Sequence, residues 1–281
     1  MNIGTSEQPT AGASLGATAH WAAAVRALES KREDALFSDP WAAALAGEPG
    51  EAWIAQRSPE SVVPMILRTR YFDDFLGRIS KQEGLRQIVL VAAGLDTRAF
   101  RLAWPAKTRF FELDQPAVLS NKEQVLLAAG AKPTCERQAV SVDLTKDWQE
   151  RLIEYGFDPQ QPSGWLLEGL LFYLSNSHIS DLLDVITSLA EPGSWIGFDI
   201  INSSVLTSPL TQKWVAMQAA SGAPWIGSMD DPVSFLAERG WTASLSQAGA
   251  SEANFDRWLL PVIPVEMPNM PHNWFVTAFK E

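Results

Sequence analysis

A single cysteine, Cys135, stands in a chain of 281 residues, so no internal disulfide can form. Only three histidines are present, scattered at His20, His178 and His272, and the usual tetrahedral zinc site cannot be assembled from them. Basic residues are outnumbered by acidic ones, 22 to 33, leaving a net charge of -11. That balance is the reverse of the basic footprint needed to neutralise phosphates, which argues against nucleic acid as a partner. No stretch approaches the roughly 20 apolar residues of a membrane span. The start, MNIGTSEQPT, lacks the cationic residue and apolar run of a signal peptide. The expectation is a cytoplasmic protein without metal or membrane partner, with Cys135 as a small buried apolar residue. What the chain does have is a 46% hydrophobic content, enough for a sizeable core, and twelve tryptophans against three tyrosines. Its chemistry must come from carboxylates, arginines, aromatics and a borrowed cofactor.

Residues 1–17 are small and polar and read as a flexible arm. From Thr18 a helical pattern begins, with Trp21, Val25 and Leu28 at three- and four-residue spacing. A second helix is expected near Asp39-Pro40, and a third over Pro64 to Ser80, its stripe formed by Met65, Phe72, Phe75, Leu76 and Ile79. After residue 86 the texture alternates between strand and helix, the pattern of a parallel sheet. Strands are expected at Gln87–Ala92, Thr108–Glu112, Arg137–Val142, Trp165–Leu167, Ser194–Ile201, Thr242–Leu245 and Trp274–Phe279, with helices at Ser177–Ala190 and from Asp231-Pro232 to Gly240. Together they predict an α/β fold: a doubly wound, mostly parallel, seven-stranded Rossmann-like sheet in one domain, residues 18–281. Residues 18–85 form a helical extension over it, and residues 202–231 a helical, lid-like insertion after the fifth strand.

Open α/β sheets bind ligands beyond the carboxyl ends of their strands. The first strand runs into Ala92-Ala93-Gly94-Leu95-Asp96, where small residues let a ligand approach the backbone. The second ends in Glu112-Leu113-Asp114, 18 to 20 residues beyond Gly94, where a carboxylate can accept both hydroxyls of a ribose. A nucleoside-bearing cofactor follows. The dinucleotide pattern G-x-G-x-x-G is incomplete, with Ala92 and Thr97 at its first and third glycines, and Asp96 would oppose a pyrophosphate. A phosphate-free cofactor, S-adenosylmethionine, fits better than NAD, whose oxidoreductases are the alternative reading. Asp143, with Leu144 after the third strand, has two readings, an acceptor for the adenine amino group or a turn cap. Arg68 falls on the apolar stripe of its helix and needs a buried anion, which makes it the candidate for the methionine carboxylate. Arg70 lies on the face with Asp73 and Asp74, suited to a solvated ion pair. Glu168, set among leucines, needs a partner. Tyr173 is read either as pocket wall or as core, and Arg26 as a second cationic candidate or a surface pair. Trp214, Trp225 and Trp258 are aromatic candidates in or after the insertion.

These motifs carry a family resemblance. Arg26-Ala27-Leu28-Glu29, Leu36-Phe37-Ser38-Asp39-Pro40, Arg68-Thr69-Arg70, Ala93-Gly94-Leu95-Asp96-Thr97-Arg98, Phe111-Glu112-Leu113-Asp114-Gln115-Pro116, Val142-Asp143-Leu144 and Glu168-Gly169-Leu170-Leu171-Phe172-Tyr173 resemble the leucine carboxyl methyltransferase family of class I S-adenosylmethionine-dependent methyltransferases, in its bacterial O-methyltransferase branch. The resemblance implies Asp114 on the ribose, Asp143 and Leu144 on the adenine, Arg68 on the methionine carboxylate and Glu168 near the methionine end. Ala92 departs from the glycine that many relatives carry. The expected function is methylation of a small molecule, such as a polyketide or other secondary metabolite. Its carboxylate is the expected target, since a carboxylate needs no base and the three histidines read as surface or capping residues; a hydroxyl acceptor is the alternative.

Overall fold

In a computed structural model, residues 11–281 are described. Helix α1, Ala11–Glu29, starts seven residues ahead of the expected Thr18, because the alanine-rich segment read as an arm is also a good helix former. Residues 1–10 of that expected arm lie outside the described residues. Helix α2 spans Ala42–Ile54 and is broken at Gly47. The Asp39 carboxylate accepts the Trp41 N–H at 3.2 Å just before it. Helix α3 covers Pro59–Lys81, with Pro59 at its first position and Pro64 inside it at the sixth, where proline cannot donate the usual helical hydrogen bond.

The rest follows in alternation: β1 Gln87–Val91, α4 Arg98–Arg101, β2 Arg109–Asp114, α5 Pro116–Ala128, β3 Glu136–Ser141, α6 Gln149–Glu154, β4 Gly164–Leu167, a 3-10 turn Leu171–Tyr173, α7 Asn176–Leu189, β5 Trp195–Ile201, α8 Ser203–Thr207, α9 Gln212–Ala220, α10 Pro232–Ala237, β6 Trp241–Gln247 and β7 Asn273–Lys280. The seven strands form one sheet in the order β3-β2-β1-β4-β5-β7-β6. Strands β1 to β5 pair in parallel and β7 runs antiparallel to both of its neighbours. Strand order reverses between β1 and β4, which is where such sheets open a crevice.

The central strands β1, β4 and β5 read as near-continuous apolar runs because both of their faces are covered. Val89, Val91, Phe111, Leu113, Trp165 and Phe198 point into a core shared with α7. Ile88, Leu90, Phe110 and Leu166 point the other way, against Phe72, Phe75, Leu76 and Ile79 of α3. The approach of α3 is close enough that a Cβ on Gly197 would come within 2.7 Å of the Phe75 ring. Phe75 and Arg68 are two helical turns apart, and Gly197 and Asp199 share one sheet face. That register carries Arg68 to Asp199. Cys135 is half-buried against the same core, and burial pushes its thiol up to about 12. Among the described residues no helix is long and apolar enough to cross a membrane.

Candidate active site

A cavity of about 530 Å³ opens at the carboxyl ends of β1 to β4. The strand ends contribute Ala92, Asp114, Asp143 with Leu144, and Glu168 with Gly169. The opposite lining is helical: Trp21 of α1, Trp53 of α2, Met65 and Arg68 of α3, and Trp214 and Met217 of α9. Tyr173 and Trp225 also face the cavity.

Asp114 is set by the backbone around it. Its carboxylate accepts the Gly94 N–H at 2.6 Å and the Gln115 N–H at 2.7 Å, which uses two of its roughly four lone-pair sites. Burial raises its pKa above the ordinary carboxylate value. Gly94 adopts a φ of 50°, and a Cβ there would touch that of Ala19 at 3.3 Å, so the turn that presents its N–H suits glycine. Ala92 shares this left-handed backbone, with φ at 55°, a conformation that costs a non-glycine residue. Asp143 forms the turn cap, one of its two expected readings, and lies on the cavity rim. It caps through the Thr145 N–H at 3.0 Å and hydroxyl at 2.6 Å, and those bonds with Lys146 hold it at about 2.

Beneath this rim lies a network of buried ion pairs. Arg68 donates from Nε to Glu168 at 3.0 Å and from Nη1 to Asp199 at 2.8 Å. Arg98 is fully buried and reaches Asp73 at 2.7 Å, Asp96 at 2.5 Å and Glu168 at 2.8 Å. Arg101 takes both oxygens of Asp73. Burial alone would raise Glu168, yet Arg98 and Arg68 hold it below the usual carboxylate range. Asp199 goes the other way, since burial outweighs Arg68 and the Gly169 N–H that it accepts at 2.6 Å. Among the described residues Nη2 of Arg68 has no protein acceptor. Gly169, at φ 70°, leaves room for it: a Cβ there would sit 3.2 Å from that nitrogen.

The structure thus brings Arg68, Ala92, Asp114, Asp143, Leu144, Glu168 and Tyr173 to one cavity. Arg70 forms its expected pair with Asp74, at 2.9 Å. Other expectations need correction. Glu112 is absent from the lining, because its fully buried carboxylate is held by Lys122 at 2.6 Å and Arg137 at 2.7 Å. Arg26 is consumed structurally, by Asp39 at 2.8 Å and the Leu95 carbonyl at 2.6 Å. It borders, with Ala93 and Asp96, a smaller hollow of about 60 Å³ that shares Arg68, Ala92 and Glu168 with the main cavity. Gly94 acts through Asp114. Trp258 packs against Gly249. The anion that Arg68 required is supplied first by the protein. Sequence reasoning did not single out Asp199, Arg98, Trp21, Trp53 or Arg57. A lone carboxylate within the apolar run of β5 was the available signal for Asp199.

Comparison with known proteins turns this geometry into an assignment. The leucine carboxyl methyltransferase family model matches residues 19–187. The chain belongs to that family. A protein of Parafrankia sp. named as an S-adenosyl-L-methionine-dependent methyltransferase is 36% identical over 277 residues, covering 95% of this chain and 87% of its own. A Streptomyces coelicolor protein of the same description is 40% identical over 241 residues, 81% of this chain and 83% of the relative. A solved DUF574-family structure from Streptomyces avermitilis superposes with a TM-score of 0.60 at 15% identity, over 92% of this chain and 97% of its own, which shows a common fold. This family member is an S-adenosylmethionine-dependent methyltransferase.

The cavity fits that cofactor. Asp114 keeps lone pairs for a ribose, and Arg68 keeps one donor for a carboxylate. The network of Arg26, Arg68, Arg98 and Arg101 against Asp39, Asp73, Asp96, Glu168 and Asp199 carries one more negative than positive charge, suited to a cationic sulfonium.

Proposed function

We propose that this methyltransferase acts on a carboxylate oxygen of a small organic acid, such as a polyketide acid, with residues 202–231 as the lid over the acceptor. In this reading Asp114 holds the ribose, Asp143 and Leu144 the adenine, Arg68 the methionine carboxylate, and Glu168 the methionine end. S-adenosylmethionine, when bound, supplies a methyl group activated on positively charged sulfur, which leaves as a neutral thioether when an oxygen lone pair takes the methyl. The residues around it must align the acceptor and exclude water, and such positioning contributes on the order of 7–11 kcal/mol to a barrier of this kind.

The observation that supports the carboxylate assignment is that the described residues lining the cavity include no histidine. The His20 Nδ1 lies 3.0 Å from the carbonyls of Leu45 and Ala46. His178 is exposed at the start of α7. His272 is buried beside Gln247, at 2.9 Å, and burial lowers its pKa. Tyr173 is pushed up by burial, away from a phenolate. Glu168 is engaged by two arginines. A carboxylate, ionised above a pKa near 4, needs none of them as a base, whereas a phenol near 10 does. The rate of methyl transfer is expected to be flat between about pH 6 and 9. A rise with a midpoint near 6.5, abolished by a histidine substitution, would assign a hydroxyl acceptor instead.

A further inference from the structure

The helical wall of the cavity holds a half-exposed cation, Arg57, with no carboxylate partner among the described residues. Arg57 follows α2. Its Nη1 donates only to the Met217 thioether, at 2.8 Å, a weak acceptor. Its Nε is buried with no acceptor, and so is Nε1 of the adjoining Trp53. The Arg57 guanidinium lies 4.7 Å from the centroid of the Trp53 ring, which stacks on Trp21 at 5.2 Å with 10° between the planes. The other arginine among the described residues lining the cavity, Arg68, has its charge answered by Glu168 and Asp199, and its one free donor is assigned to the cofactor. A buried donor left without an acceptor is costly to maintain, and a half-exposed planar guanidinium on an aromatic shelf matches a carboxylate in shape as well as sign.

The geometry points to Arg57 as the recognition point for the acceptor. It selects a flat, apolar or aromatic carboxylic acid, whose charge pairs with the guanidinium and whose body lies along the tryptophans. This inference rests on the carboxylate reading above and adds a consequence to it. Transfer joins the carboxylate oxygen to the methyl carbon, while the sulfur–methyl bond breaks and its electron pair stays on sulfur. The acid becomes a neutral ester without release of a proton. Arg57 therefore attracts the substrate and loses its partner in the product, so substrate and product are told apart by charge.

The test is calorimetric titration of the full chain saturated with S-adenosylhomocysteine. The probes are benzoate, 2-naphthoate, anthracene-9-carboxylate and pyrene-1-carboxylate, each set against its methyl ester. At least one acid is expected to bind about tenfold or more tightly than its ester, as a charge-assisted bidentate pair confers. Arg57→Gln should abolish that preference and Arg57→Lys should keep part of it, both with unchanged melting temperature and S-adenosylhomocysteine affinity. If no acid is preferred to its ester, or if the preference survives Arg57→Gln, the assignment of Arg57 is overturned while the methyltransferase reading stands. Failure of S-adenosylhomocysteine itself to bind would overturn both.

Discussion

At the strand ends of the cavity, Arg68 and Arg98 share Glu168 between them, and each closes a further pair with Asp199, Asp73 or Asp96. On the helical side, α9 buries none of its residues, and Arg57 rests on a thioether. One wall is built of desolvated charges whose geometry is enforced from several elements at once. The other is built of tryptophans and a methionine, of which Trp214 and Met217 sit on α9, where no residue is buried and side chains can re-pack. Such a division suits an enzyme that binds one invariant ligand and one that has to be chosen: the closed network is preformed, and the aromatic wall sets selectivity.

The sharpest way to break this contrast is Arg68→Ala. It strands Glu168 and Asp199 without their partner, and breaking a buried pair costs about 3–5 kcal/mol. Denaturant unfolding should show that loss together with weakened cofactor binding. Arg70→Ala, which opens a partly exposed pair, should cost under about 1 kcal/mol. An inverted ranking would place the supporting wall elsewhere. Next in size is Asp114→Ala. S-adenosylmethionine affinity should fall by about 1.5–3 kcal/mol for each ribose bond lost. The variant also leaves the Gly94 and Gln115 N–H groups without their acceptor, so it should unfold more easily by about 1–3 kcal/mol. An unchanged dissociation constant would remove Asp114 from the ribose.

A third difference is legible in pH. Burial pushes Asp96 up, but Arg98, Arg26 and Arg101 together hold it at about 2. A depressed carboxyl stabilises the fold fully above its ordinary value near 4 and loses that contribution as pH falls toward about 2. Melting temperature should drop across that window, and Asp96→Asn should flatten the drop while lowering stability at neutral pH. The smallest effect on folding is expected for Trp214→Ala on the helical wall, where the ring is 39% exposed. Its unfolding free energy should change by less than about 1 kcal/mol and its S-adenosylhomocysteine affinity should stay constant. Only binding of an aromatic carboxylate should weaken. A large loss of stability would show that this wall is as rigid as the other.

Strands β1, β4 and β5 were legible as runs of apolar residues, since central strands are buried on both faces, whereas the edge strands β3 and β6 carry polar, partly exposed residues and were legible from the alternation of strand and helix. Helix α7 was equally clear from Ile179, Leu182, Leu183 and Ile186. Helix α5 was harder because the fully buried Lys122 interrupts its apolar stripe, and only the partner Glu112 across the fold explains it. The same pairing misled the reading of Glu112, whose place beside Asp114 in sequence resembled a ribose site. Asp114, Asp143, Arg68 and Glu168 were recoverable because each occupies a strand end or a helix stripe. Asp199 and Arg98 were not singled out, since their roles depend on register between α3, α4 and β5. Trp21 counted toward a core stripe, and nothing in its spacing shows that it faces a cavity.

The left-handed backbone at Ala92 carries an energetic cost. An alanine in that conformation is strained by roughly 1–2 kcal/mol. Exchanging it for glycine removes the strain but gives the unfolded chain more freedom, worth about 0.4–1 kcal/mol in the opposite direction. The strain is the larger of the two, so folding favours glycine at position 92 by up to about 1.6 kcal/mol. The alanine is held at that cost, and its extra methyl group changes the space left to whatever lies against the end of β1.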